Sequence, residues 1–311
     1  MLKVPKIVRY DCIMDLIKDY WSKLWVRAIV YLLFAILFSA GLLVFMAVRP
    51  SLIKSELTPA DLGLVYEDAH FETDDGVEIA GWFIPRQSNG EPSDEYSQNK
   101  TIVALHGYPA DKGNILPLSA GLIDDYNLFM FDFRYHGESG GSYSGLGSKE
   151  TKDMQAALGW LKQEKEIEEV GVWGFSFGAS IALMSAAEMD EIQAVYAESG
   201  YSNLYKLAKG TIDIPLLGRV LVETGYFMAL TLGIDMKNTG PSKVATDIDV
   251  PVYISHSRDD EVIDFSHAKD LKSALGNNLV GFDFGEGRAH GELGQEGFET
   301  VESFFENYMI H

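Results

Sequence analysis

Five residues constrain this chain more than any other stretch: Gly174-Phe175-Ser176-Phe177-Gly178. They follow an apolar run, Val170-Gly171-Val172-Trp173, and lead into Ala179-Ser180-Ile181-Ala182-Leu183. A strand that becomes a helix through so short a segment must turn sharply, so positions 174 and 178 must be small where chain passes close to chain. The serine is then left at the helix N-terminus, where free N–H groups and the helix dipole favour developing negative charge. In a chain with 30 glycines the G-x-S-x-G pattern alone is weak. The strand before it and the helix after it give it meaning.

Around this turn, apolar runs recur at 101–106, 127–133, 193–198, 251–256 and 278–284. Stretches near 149–164, 177–189, 266–275 and 292–308 carry helical spacing. Strands that alternate with helices predict parallel βαβ units in a doubly wound sheet. Residues 64–72 and 77–85 read as a hairpin around Asp74-Asp75-Gly76, and the polar stretch 86–99 reads as a loop.

Ala28 to Val48 is 21 residues without a charge, the length of a membrane span. A cleaved signal peptide has a shorter apolar core and a small-residue cleavage site, and Met46-Ala47-Val48-Arg49-Pro50 offers none. Tyr20, Trp21 and Trp25 stand where an interfacial aromatic belt belongs. Six Lys/Arg precede the run, against only Arg49 and Lys54 in residues 49–68. The expected layout is a cytoplasmic segment 1–27, a transmembrane helix 28–48, a connector 49–63 and an extracytoplasmic catalytic domain 64–311. Since every candidate catalytic piece lies beyond residue 100, residues 1–48 are expected to be dispensable for activity.

The formal net charge of −21 is unevenly spread: residues 1–49 hold seven basic and three acidic residues, the remainder 18 and 43. Such an acidic body repels nucleic-acid phosphate, so no nucleic-acid partner is expected. Cys12 is the only cysteine, which excludes an intramolecular disulfide. No Cys/His spacing suits zinc, and neither a metal nor an organic cofactor is expected.

A serine hydroxyl needs a base to take its proton. After Ser176 the histidines are His256, His267, His290 and His311. His290 lies in Gly285-Glu286-Gly287-Arg288-Ala289-His290-Gly291, between the last strand and the last helix, where the base belongs in the chain order Ser, acid, His. His256 ends a strand and reads as structural, His267 as an exposed helix residue. The acid belongs in the loop after 251–256, where Asp259, Asp260 and Glu261 compete. Two N–H groups are needed to hold an oxyanion. Phe177, next to the serine, is one candidate donor; Tyr108, in His106-Gly107-Tyr108-Pro109, is the other, because Pro109 has no N–H. His106 reads as a brace for that loop.

Taken together, HGYPADKGN (106–114), FDFRYHGESGG (131–141), GFSFG (174–178), SHSRDDEVI (255–263) and GRAHGEL (287–293) resemble the α/β-hydrolase superfamily over about residues 64–308. The likeness is nearest to membrane-anchored bacterial members close to dienelactone-hydrolase-like and acyl-peptidase-like enzymes. It implies an α/β-hydrolase fold, a mostly parallel doubly wound sheet with a small helical cap inserted at about 200–249. The acid loop there looks like His-Gly-x-x-Asp-x-x-Val, which places the aspartate at Asp260 when aligned on His256, with Ser257 where glycine is usual. Asp132 and Arg134 match a loop that looks structural. The resemblance implies a serine hydrolase that acts on a small-molecule ester or acyl substrate, with Ser176, His290 and Asp260 as catalytic residues. Leu216, Leu217, Val220, Leu221, Phe227, Met228 and Leu230 are expected to wall a pocket for an apolar acyl chain. A peptidase or amidase with the same machinery, and a non-catalytic membrane-anchored binding protein, are the competing readings. Oligomeric state is not legible.

Overall fold

The structure is a computed structural model that describes residues 8–88, 91–92, 100–212, 214–292 and 294–309. Residues 1–7 of the basic N-terminal segment, most of the polar stretch 86–99, and His311 lie outside the described residues.

The chain begins with a long helix, α1 (Val8–Val48), followed by a hairpin of β1 (Glu67–Glu72) and β2 (Glu78–Ile84) and a short pair, β3 (Gln87–Ser88) and β4 (Glu91–Pro92). Then come β5 (Thr101–Leu105), α2 (Lys112–Ser119), β6 (Asn127–Phe131), α3 (Glu150–Lys165), β7 (Val170–Phe175), α4 (Phe177–Ala186) and β8 (Ile192–Glu198). Two helices, α5 (Leu204–Thr211) and α6 (Leu217–Thr231), precede β9 (Val252–Ser255), α7 (Ser266–Leu275), β10 (Leu279–Asp283) and α8 (Gly294–Tyr308).

Eight strands form one sheet in the order β1-β2-β6-β5-β7-β8-β9-β10. β1 with β2 and β2 with β6 pair antiparallel; every other pair is parallel. Burial explains the apolar runs: all five residues of β5 and the first five of β7 are buried, as parallel strands covered on both faces require. The edge strand β10 is only half-buried on alternate residues. After β5 the chain steps one way to β6, then returns past β5 to β7, so strand order reverses between β5 and β7. In such sheets a crevice opens at that point, beyond the carboxyl ends of the strands.

The helices fall where the spacing put them, with additions. α2 follows β5 directly and carries Pro117 within it. α1 extends well beyond the uncharged run at its N-terminal side, and the stretch long and apolar enough to cross a membrane is Ile17–Val48. Most of that stretch is exposed, but one side of its last turns is covered. Ala40 and Val48 are buried, and Val48 joins the main core. The Val48 carbonyl accepts from Ser144 N–H at 2.8 Å, the Ala47 carbonyl from the Tyr108 hydroxyl at 2.8 Å, and Arg49 Nε donates to the Ser142 carbonyl at 2.7 Å. The end of α1 is therefore built into the globular body, which revises the expectation that residues 1–48 are dispensable.

Candidate active site

Close approach of main chain to main chain sets the turn at Ser176. A Cβ added at Gly174 would stand 2.4 Å from the Gly178 carbonyl oxygen, and one at Gly178 would stand 2.4 Å from that of Leu105. No side chain larger than hydrogen fits either position. Ser176 itself has φ 54° and ψ −110°, a conformation that serine enters only under constraint. The constraint is visible: its N–H donates to the Glu198 carbonyl on β8 at 2.7 Å, which ties the turn to the next strand.

The carboxyl ends of four strands converge on the serine. Ser176 follows β7 and Gly107 follows β5, and a Cβ at Gly107 would lie 3.4 Å from that of Ser176. Asp260 stands in the loop after β9 and His290 in the loop after β10. His290 Nε2 is 2.9 Å from Ser176 Oγ, and His290 Nδ1 is 2.7 Å from Asp260 Oδ2. With the imidazole proton on Nδ1, toward the carboxylate, Nε2 is left to accept the serine proton. The ring packs 5.1 Å from that of Phe175.

Among the three acids of the β9 loop the structure brings only Asp260 to the histidine. Its Oδ1 accepts the N–H groups of Val262 and Ile263 at 2.9 and 2.8 Å, which leaves Oδ2 for His290. Burial pushes its carboxyl up, but the hydrogen bonds from His290 and the two backbone groups outweigh burial and hold it below its ordinary value. Asp259 faces outward and accepts the Gly287 N–H, so it braces the histidine loop from outside; Glu261 is exposed.

His256 sits at the back of the acid. Its Nε2 lies 2.9 Å from the Ile263 carbonyl oxygen and 3.5 Å from Asp260 Oδ2. Burial lowers its pKa, so it is a neutral support of the loop. His267 corrects the sequence reading. It is 3% exposed rather than on the surface, because the face of α7 that carries 267, 271 and 275 turns inward. Its Nδ1 accepts the Ser202 N–H at 3.0 Å and lies 2.9 Å from the Ser202 hydroxyl. Asp270 bonds that serine, not the histidine, and all of Ser202 is buried. This second Ser–His pair is a strut, not a reactive site.

Phe177 follows the serine and Tyr108 follows Gly107, and the backbone N–H groups of both have no protein acceptor among the described residues. Gly107 joins their two segments, and the Tyr108 and Phe177 rings meet edge to face at 6.1 Å. His106 braces this loop: its Nε2 accepts the Phe133 N–H at 3.0 Å, and burial pushes its pKa down to about 4. Asp132 and Arg134 are buried and engaged elsewhere. Asp132 pairs with Lys112 at 2.7 Å, and Arg134 grips Asp153 at 2.7 Å and Asp75 at 2.8 Å. Among the described residues no cluster of His, Cys, Asp or Glu could hold a metal ion.

The residues expected to wall an acyl pocket do not share one environment. Leu221 turns inward, but Leu216, Leu217, Val220, Phe227 and Leu230 are exposed on the outside of α6. A sequence stripe cannot say which side of a helix meets its neighbours. Sequence reasoning also missed the hydroxyl of Tyr108, whose bond to Ala47 ties this loop to α1. No local signal links residues so far apart.

Residues 100–218 match the family described as alpha/beta hydrolase fold. Relatives include the protein YfhR of Escherichia coli strain K12, 26% identical over 212 residues, which are 67% of each chain. Another is the alpha/beta hydrolase domain-containing protein WAV2 of Arabidopsis thaliana, 28% identical over 236 residues, 74% of this chain and 73% of that one. Among solved structures, the Pyrococcus furiosus esterase Pf2001 superposes with a TM-score of 0.68 at 25% identity, covering 84% of this chain and 100% of that one. The Pyrococcus horikoshii acylaminoacyl peptidase superposes with a TM-score of 0.59 at 17% identity, over 79% of this chain and 42% of its own, a likeness of fold.

Proposed function

The chain is a hydrolase of the α/β-hydrolase superfamily, and on that premise we propose that it is a serine hydrolase that cleaves carboxylic esters through an acyl-enzyme. The observation that carries the reading is the unbroken line of hydrogen bonds from Ser176 through His290 to Asp260. Ser176 Oγ attacks the ester carbonyl carbon while its proton passes to His290 Nε2. Asp260, kept ionised by its three hydrogen bonds, holds the imidazole in the right tautomer and stabilises the imidazolium. The Tyr108 and Phe177 N–H groups donate to the oxyanion, a contribution worth about 3–4 kcal/mol per donor in such sites. Collapse of the tetrahedral intermediate breaks the carbon–oxygen bond and the alcohol leaves with the proton from His290. Water then repeats the sequence and releases the acid.

Two things favour esters with apolar acyl groups. The P. furiosus neighbour is an esterase, and the half-buried Tyr108 ring, packed edge to face on the buried Phe177, follows Gly107, which lies against Ser176. The long apolar α1 is taken as an uncleaved membrane anchor with the N-terminus in the cytoplasm and the hydrolase domain outside. This rests on the Lys/Arg asymmetry around the run.

The test is fluorophosphonate labelling of the detergent-solubilised full chain, followed by parallel panels of p-nitrophenyl esters and aminoacyl anilides. Labelling that Ser176→Ala abolishes, with esters turned over at least tenfold faster than anilides, is the expected result. Faster anilide cleavage replaces the esterase reading with a peptidase, and absence of labelling replaces it with a binding protein. Added protease reaching the hydrolase domain in intact cells is expected from the orientation; cleavage only after lysis would reverse it.

A further inference from the structure

α6 packs against the last turns of α1, and that junction has a geometric consequence. A Cβ at Gly41 would stand 3.6 Å from Met228 Sδ, and one at Gly225 would stand 3.3 Å from Val44 Cγ2. Small residues on both helices, Ala40 and Gly41 against Gly225 and Ala229, allow this close approach. At 1.5 Å rise per residue the uncharged run 28–48 is about 31 Å long, against a hydrocarbon core of about 30 Å. The run has no length to spare. Gly41 lies seven residues before its outer end, about 10 Å along the helix axis, and Met228 lies beside it.

The outer face of α6 has the matching chemistry. Leu217, Val220 and Phe227 recur at helical spacing with Leu216 and Leu230 on their flanks, and all five are exposed, Phe227 by 65% and Leu216 by 80%. A soluble surface seldom shows five large apolar side chains exposed over so short a stretch. The opposite side of α6, with Leu221, Val222, Gly225 and Ala229, is buried; Glu223, one turn from Val220 and Phe227, is turned to Lys237 at 3.1 Å and to the Tyr205 hydroxyl.

We propose that α6 is an interfacial helix, immersed by its Leu217–Val220–Phe227 face in the outer part of the same lipid leaflet that α1 crosses. The hydrolase domain is then held against the bilayer by two elements, not tethered by one. This rests on the reading of α1 as an uncleaved anchor, and the two can fail separately. On this placement the exposed apolar side chains of α6 face lipid, not substrate.

The experiment is spin-label depth measurement on the full chain in phosphatidylcholine/phosphatidylglycerol vesicles. Single cysteines are placed in a Cys12→Ser background at Val220→Cys, Phe227→Cys, Leu37→Cys in α1 and Glu164→Cys on α3. Labels at 220 and 227 are expected to collide with oxygen at least threefold more than with a water-soluble nickel chelate, as at 37, while 164 shows the reverse. A label at 37 in lipid with those at 220 and 227 in water overturns the proposal and leaves the anchor standing. Labels at 220 and 227 that are immobile and shielded from both reagents overturn it in favour of a protein contact, such as a second copy. A label at 37 in water removes the anchor and the proposal with it.

Discussion

Each residue of the proposed triad is held by something other than its catalytic partner. Ser176 is fixed by a strained backbone and by its N–H bond to Glu198, Asp260 by two backbone N–H groups, and His290 by the Phe175 ring. Prior fixation of this kind lets the proton move without reorganisation at the moment of reaction. It also separates two adjacent acids. Asp260→Asn keeps the shape but offers His290 the wrong partner for its Nδ1 proton, and kcat is expected to fall about 10⁴-fold. Asp259→Asn removes only an outward brace at Gly287 and is expected to cost less than about tenfold. Steady-state kinetics on a p-nitrophenyl ester reads both, and a reversed order would move the acid by one residue.

Helix α1 and the helices between β8 and β9 set what the body needs of its N-terminal segment. The last turns of α1 supply Val48 to the core, carbonyl acceptors to Ser144 and Tyr108, and a packing surface for Gly225 and Met228. A chain cut before Ala28 keeps all of these; a chain cut after Val48 loses them and uncovers the inner face of α6. Loss of one buried valine and two hydrogen bonds amounts to about 3–5 kcal/mol. In detergent, the 1–48 deletion is expected to melt at least about 5 °C below the 1–27 deletion. Calorimetry with equal midpoints for the two would mean that the end of α1 is only a tether. Because Tyr108 holds Ala47, the longer deletion is also expected to lower kcat at temperatures where it remains folded.

Across the whole molecule, buried ionisable groups set opposing limits on the pH of greatest stability. Burial pushes the Glu198 carboxyl up to about 8, against a weak hydrogen bond from Trp173. The unfolded chain gives up that proton near the ordinary value of 4.5, so the contribution is full below 4.5 and is lost as pH rises through 8. The slope is up to about 1.4 kcal/mol per pH unit. Burial pushes His106 and His267 down to about 4, which works the other way: their contribution is full above 6.5 and is lost as pH falls toward 4. Glu198→Gln keeps a neutral group in the same place. Its melting temperature is expected to fall less between pH 5 and pH 8 than that of the natural chain. An unchanged fall would show that Glu198 is ionised when folded.

Local chemistry alone determined the turn at Ser176, the strands on either side of it, the anchor-length run, and His290 as the one histidine in the loop between the last strand and the last helix. These follow from short-range rules: glycine where chains touch, apolar continuity in parallel strands, and chain order. Asp260 needed more, since three adjacent acids differ only in which one turns inward, and it is the Val262 and Ile263 N–H groups that decide it. The inward turn of His267, the outward turn of Leu217, Val220 and Phe227, and the bond from Tyr108 to Ala47 were decided by tertiary structure alone. Each depends on which neighbour a face meets across a long stretch of chain, and helical periodicity marks a face without naming what covers it.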